Sequence, residues 1–335
     1  MTVTARLDSF QRRHPGAGFP LAVVYKYVDD QGGYLAALLT YYGFLSLFPL
    51  LLLLSTVLGL VLAGDPHLQQ EVLRSALHQF PVIGGQLQQP QRLGGGVVGL
   101  VVGVLGALYG GMGVALATQN AMNTAWRVPR NERPNPLVGR AKGLLLLLTL
   151  GLALIGTTVL SAIGGGAGPF GVAVRVVVII ASAAVDAAVF MLAFRLSTAR
   201  SLTTREVAPG AVAAAVIWQL LQLFGATYVG HVVRNASATN SVFALVLGLI
   251  AFLYLASVAL VLCVEVNAVR VDRLYPRALL TPFTDAVDLT HGDRRAYTKQ
   301  AQAQQSKGFQ EVDVTFGAPP HHGEDRPDDG DPTTG

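Results

Sequence analysis

The sequence predicts an all-α fold: a polytopic membrane protein built as a bundle of six transmembrane helices, N- and C-termini cytoplasmic, with short interfacial helices beside it. Three observations carry that prediction. Only 13% of the 335 residues are charged and 52% are hydrophobic, whereas a soluble domain carries about 25% charged residues. Six segments are continuously apolar over the roughly 20 residues that a helix needs to cross a hydrocarbon core about 30 Å thick. Lysine and arginine gather in alternate loops between those segments.

The six segments are 35–62, 94–118, 143–163, 171–193, 208–230 and 242–267. Each is too long for a strand and lacks the alternation of a membrane barrel. In lipid every backbone polar group must be satisfied within its own segment, which leaves the helix. The bases fall into two sets. Arg6, Arg12, Arg13 and Lys26 precede the first segment; Arg127, Arg130, Arg133, Arg140 and Lys142 lie in loop 119–142. Arg195, Arg200 and Arg205 lie in loop 194–207, and Arg270, Arg273 and Arg277 follow the sixth segment. The other loops hold only Arg74, Arg92 and Arg234, with Arg175 near the start of the fourth segment. The positive-inside rule then puts both termini in the cytoplasm and the chain in the inner (cytoplasmic) membrane as a multi-pass protein.

Three regions follow. Residues 1–33 form a cytoplasmic N-terminal segment with an interfacial helix at 20–30, "PLAVVYKYVDD", where Leu21, Val24 and Val28 share a face that ends at Gly32-Gly33. Residues 34–267 form the six-helix transmembrane domain. Its first span is too long for a signal-peptide h-region and is read as an uncleaved helix. Asp65 and Pro66 open a short outer helix over 66–80, and "GGGAGPF" at 164–170 reads as a tight outer hairpin. Residues 268–335 form a cytoplasmic tail, largely disordered from about 285, because "PPHHGEDRPDDGDPTTG" offers too little apolar surface to order itself.

Composition also excludes functions. The net charge of +4 is no nucleic-acid signal, because the bases sit in short loops beside apolar spans. One cysteine, Cys263, rules out an intrachain disulfide or a Cys-based metal site. No GxSxG, HExxH or CxxC occurs, and the adjacent His321 and His322 lack convergent ligands. No catalytic residue, metal or cofactor is expected, and the partners are the lipid bilayer and an unidentified small solute or lipid.

Polar residues inside apolar spans are costly and therefore informative. The first span carries "TYYGFLSLFP", with Tyr41, Tyr42, Ser46 and Pro49. Tyr42, Ser46 and Pro49 lie on one face, and Pro49 frees the Leu45 carbonyl and should kink the helix. Asn123 closes the second span one turn after Gln119. Asp186 lies inside the fourth, sharing a face with Ser182 and Arg175; it reads either as part of a polar pathway or as half of a structural pair. Glu265 and Asn267 close the sixth span, with Tyr254 on the face of Glu265; Arg270 or a loop arginine is the expected partner of that glutamate. Gly95, Gly99, Gly103, Gly106 and Gly110 in the second span allow close helix approach, within the bundle or in a homo-oligomer.

Four stretches carry a family resemblance: "AALLTYYGFLSLFPLLLLLSTVLG" (36–59), "AMNTAWRV" (121–128), "APGAVAAAVIWQLLQLFGATYV" (208–229) and "SVFALVLGLIAFLYLASVALVLCVEVNA" (241–268). In this order they resemble the YihY/virulence factor BrkB family over about residues 20–275. The chain departs from the family pattern at Thr239-Asn240-Ser241, at Phe252 and at Cys263-Val264. The resemblance implies a six-helix inner-membrane protein and supplies no catalytic residues. Some members once carried a ribonuclease label, since regarded as mistaken. The leading expectation is a transporter or permease-like protein whose polar site draws on Tyr41, Tyr42, Ser46, Asn123, Asp186 and Glu265. The alternative is a structural or regulatory envelope protein; a membrane enzyme acting on lipid ranks below both.

Overall fold

The computed structural model describes residues 3–61, 96–165, 171–235, 238–281, 283–285 and 287–317. The 66–80 helix, the side chain of Arg175 and His321-His322 lie outside the described residues, as does the hairpin expected at 164–170 apart from Gly164 and Gly165, which are helical. Every regular element described is helical. We label the α-helices α1 (Val3–Arg13), α2 (Pro15–Asp29), α3 (Gly32–Val61), α4 (Gly96–Ala125), α5 (Pro136–Gly165), α6 (Gly171–Ser197), α7 (Thr204–Asn235), α8 (Ala238–Asp272) and α9 (His291–Gln302). Among the described residues, four stretches are long and apolar enough to cross a membrane: Val101–Ala125, Ile179–Ser197, Thr204–Gly225 and Val246–Asp272.

Helix α3 packs along α4 over the longest contact. Helix α8 lies at the centre, touching α2, α3, α4 and α7, while α5, α6 and α7 follow one another round the bundle. The α3–α4 contact is close because of what each helix offers. Tyr42, Ser46 and Pro49 face Gly113, Gly110 and Gly106 respectively. Where one helix has no side chain, the other sinks in, so Gly106, Gly110 and Gly113 serve packing within the bundle, while Gly95 lies outside the described residues. Helix α3 runs on through Pro49 to Val61.

Burial is uneven along the bundle axis. Val101, Leu105, Tyr109, Ile180, Leu223 and Phe243 are half or more exposed, as lipid-facing side chains are. At the other end Met122, Trp126, Val128, Phe194, Leu202, Val207 and Val264 form a buried apolar core where the α4–α5 and α6–α7 loops meet α8. At 35 residues and 1.5 Å each, α8 is about 52 Å long, more than a hydrocarbon core of about 30 Å can hold. Some of its turns must therefore stand outside the lipid.

The polar flanks are built into this end. Helix α2 leaves Val24 and Val28 exposed and buries Ala22, Val23, Tyr25 and Lys26. The tail, expected to lose order from about 285, forms helix α9 instead. Thr290 accepts from the Asp293 amide at 3.1 Å, and Asp293 accepts from the Thr290 amide at 2.9 Å, a reciprocal capping box. Asp293 and Ala296 are fully buried. The order comes from a cap and from buried contacts to distant segments, so composition alone misjudged 291–302.

Candidate functional site

The polar end of the bundle holds a cluster of seven charged side chains, all largely buried: Lys26, Arg127 and Arg277 with Asp29, Asp30, Glu265 and Asp293. It begins in α2, where Lys26, Asp29 and Asp30 stand three and four residues apart and so share a face. Lys26 is fully buried. Its Nζ pairs with Asp30, donates to the Ala125 carbonyl at 2.6 Å, and lies 2.8 Å from Glu265 of α8. Neither Glu265 oxygen has an aligned hydrogen bond, so Lys26 holds this carboxylate by charge. The expected Arg270 partner is elsewhere: it is exposed and donates to the Arg205 carbonyl at 2.5 Å. Five residues on, it points about 140° round the helix from Glu265.

Arg127 follows the end of α4. Val128 donates to Asn123 and Arg127 to Thr124, both at 2.9 Å, a closing turn that puts Arg127 in the left-handed region at φ 49°. Glycine is the residue that adopts this geometry freely. An arginine there holds its guanidinium 3.4 Å from Asp30 and 3.9 Å from Asp29, and bonds the Ala296 carbonyl of α9. Arg277, fully buried, pairs with Asp29 at 3.1 Å and with Asp293. Its guanidinium carbon lies 5.2 Å from the Tyr297 ring centroid and 5.9 Å from that of Tyr25. Burial opposes its charge, but Asp29 and Asp293 outweigh that and raise its pKa above the usual arginine value. Burial pushes the Tyr25 and Tyr297 hydroxyls up, so both stay protonated.

The nine residues singled out in the sequence fall into several places. Glu265 enters the charge cluster. Asn267 accepts from the Gly210 amide at 2.8 Å and donates to Val207 at 3.0 Å, tying α8 to α7. Asn123 accepts from the Ala199 amide at 2.8 Å, tying α4 to the α6–α7 loop. Tyr42, Ser46 and Pro49 fill the glycine ladder, and the Ser46 hydroxyl donates back to Gly43 at 2.9 Å. Tyr41 and Tyr254 are 60% and 42% exposed. Asp186, half-buried in α6, accepts from Gln219 of α7 at 2.7 Å. The structure thus gathers no single site from the nine.

Lys26, Asp29, Asp30, Arg127, Arg277 and Asp293 were missed as site residues. Two signals were available: the i, i+3, i+4 charges of "KYVDD" and the Thr290–Asp293 capping spacing. Their convergence was not, because Lys26 meets Glu265 and Asp29 meets Arg277 across most of the chain. Among the described residues, no group of His, Cys, Asp and Glu is placed to hold a metal ion.

Comparison with known proteins adds a family context. The family model described as virulence factor BrkB matches residues 23–284. The chain is also similar to the inner membrane protein YhjD of Escherichia coli (strain K12), at 27% identity over 178 residues, 50% of this chain and 51% of that protein. The chain spans about half the length of this curated relative. No solved structure matches. Of the seven clustered charges, Asp293 alone lies beyond the matched residues, and with it all of α9.

Proposed function

This chain belongs to the virulence factor BrkB family, and from that premise we propose that it is a permease-like protein moving a small solute or a lipid across the inner membrane. It is a multi-pass protein of that membrane. In this reading α3 and α5 span the bilayer with the other four long helices, and the loop arginines and lysines hold both termini in the cytoplasm. No bond-making step belongs to the proposal.

The observation that carries the reading is Asp186. It lies within an apolar stretch, and among the described residues it meets a neutral amide and no cation. The same protein shows how a structural acid is treated: Glu265 is met by Lys26. A carboxylate left without a countercharge inside a span is a cost that transport of a polar group would justify. The charge cluster then forms a sealed cytoplasmic end below the Asp186–Gln219 pair.

A flux assay in proteoliposomes, screened across lipids, ions and small solutes, tests this. Asp186→Asn keeps the shape and the bond to Gln219 while removing the charge. We expect the flux found for the wild type to fall about tenfold or more, equivalent to about 1.4 kcal/mol or more, with unchanged thermal stability. Full flux in Asp186→Asn would refute the site. Unfolding of this variant would instead favour a second reading, a structural or regulatory envelope protein. That reading has its own support: Asn123, Asn267 and the charge cluster all sit at joints between segments.

A further inference from the structure

A cleft of about 410 Å³ opens beside the charge cluster, between the α4–α5 loop, the α6–α7 loop and α9. Trp126, Arg127, Glu132, Arg200, Ser201, Lys299 and Gln302 supply its polar lining. Nearly all of these side chains donate: an indole N–H, two guanidinium groups, an ammonium, a hydroxyl and an amide. Glu132 is the one carboxylate among them. Trp126 and Arg127 are each more than nine-tenths buried, and each carries a buried N–H without a hydrogen-bond partner among the described residues, Nε1 and Nε respectively.

Arg200 and Lys299 are held but not consumed. The Arg200 guanidinium lies over the Trp126 ring, 5.3 Å from its centroid, which fixes its plane and leaves its edge for an incoming acceptor. Asp272 pairs with Arg200 at 3.4 Å and with Lys299 at 2.8 Å, so one carboxylate serves two cations. Both cations keep 38% of their side-chain surface exposed. A cationic ligand would meet three positive side chains here, and an apolar one would strand their donors. The volume suits a small polar group, and forked guanidinium donors match a phosphate's oxygens.

We propose that this cleft binds a phosphate group, presented either by an anionic lipid headgroup or by a soluble phosphorylated ligand. A basic recess beside membrane helices can serve either source. Lys299 and Gln302 come from α9, beyond the residues that the family model matches. The proposal does not need the transport reading, because binding can be measured without flux.

The protein's two tryptophans make the test direct. Trp218→Phe leaves Trp126 as the sole tryptophan, lining the cleft with Arg200 across its ring. This full-length variant is titrated in detergent with inorganic phosphate against chloride at matched ionic strength. It is then compared in nanodiscs of phosphatidylcholine with and without phosphatidylglycerol. A saturable change in Trp126 emission with inorganic phosphate supports the site with a soluble source. A change with phosphatidylglycerol alone supports the lipid source. Added to this background, Lys299→Gln should weaken binding about tenfold or more by removing one charged donor, whereas Glu132→Gln should tighten it. Glu132→Gln removes an exposed lining carboxylate, so its gain in affinity cannot be mistaken for misfolding. No saturable response to either probe, or a response indifferent to both substitutions, overturns the proposal.

Discussion

Lys26 and Asp186 set out the two ways this protein treats a charge in an apolar setting. Lys26 is fully buried, yet it reaches Glu265, Asp30 and the Ala125 carbonyl together. Asp186 has Gln219. A buried ion pair is a weak source of net stability, but removing one partner strands the other at a cost of about 3–5 kcal/mol. Lys26→Met should therefore destabilise the protein by about that amount, because Glu265 would lose its countercharge. Adding Glu265→Leu should recover much of the loss, since Asp30 keeps Arg127 at 3.4 Å. Denaturant unfolding of the two variants in detergent checks this; a double variant no more stable than the single one would mean that Glu265 is not held by Lys26. The charge at Glu265 was visible in the sequence as an acid among apolar neighbours. Its partner was not, because the local candidate Arg270 lies on another side of the same helix.

At the scale of elements, the contact of α3 with α4 was the more legible and the tail the less. Tyr42, Ser46 and Pro49 share a helical face by spacing alone, and the second-span glycines recur at close-packing intervals. Each pattern predicts an interface; only the structure pairs them. A Cβ added at Gly110 would lie 2.6 Å from the Ser46 Cα, a backbone atom that cannot turn aside, whereas at Gly43 it would meet nothing within 4 Å. Gly110→Ala should accordingly cost about 1–3 kcal/mol by overpacking. Gly43→Ala should be neutral or slightly stabilising, because alanine favours the helix by up to about 1 kcal/mol. Melting temperatures of the two variants side by side would decide it, and equal temperatures would show that α3 and α4 are not tightly packed at Ser46. Helix α9 was illegible for a different reason. Its mean composition is polar, and its order depends on Thr290 and Asp293 meeting Pro276 and Arg277 across the preceding loop and on Ala296 meeting Arg127 far away in the chain.

The whole molecule divides into an apolar end that leaves large aliphatic side chains exposed and a polar end that locks charges away from water. The proposed topology puts the polar end in the cytoplasm, where Lys299 and Gln302 of α9 help to line the cleft. The single native thiol, Cys263, is buried. In a Cys263→Ser background, Ser306→Cys just beyond α9 should react with a membrane-impermeant maleimide only after the inner membrane is permeabilised. Labelling in intact spheroplasts would invert the topology and with it the cytoplasmic placing of both termini.

The sequence by itself determined the membrane class, the helical state and the family resemblance. Those properties are sums over local stretches: hydropathy over a span, backbone satisfaction within it, residue spacing along it. Only the tertiary structure decided which polar groups meet. Lys26 and Glu265, Asp29 and Arg277, or Trp126 and Lys299 are joined by chain folding and not by spacing. An ion's partner inside a protein is fixed by distance in space and by the loss of water around it, and neither quantity is written in the order of residues along the chain.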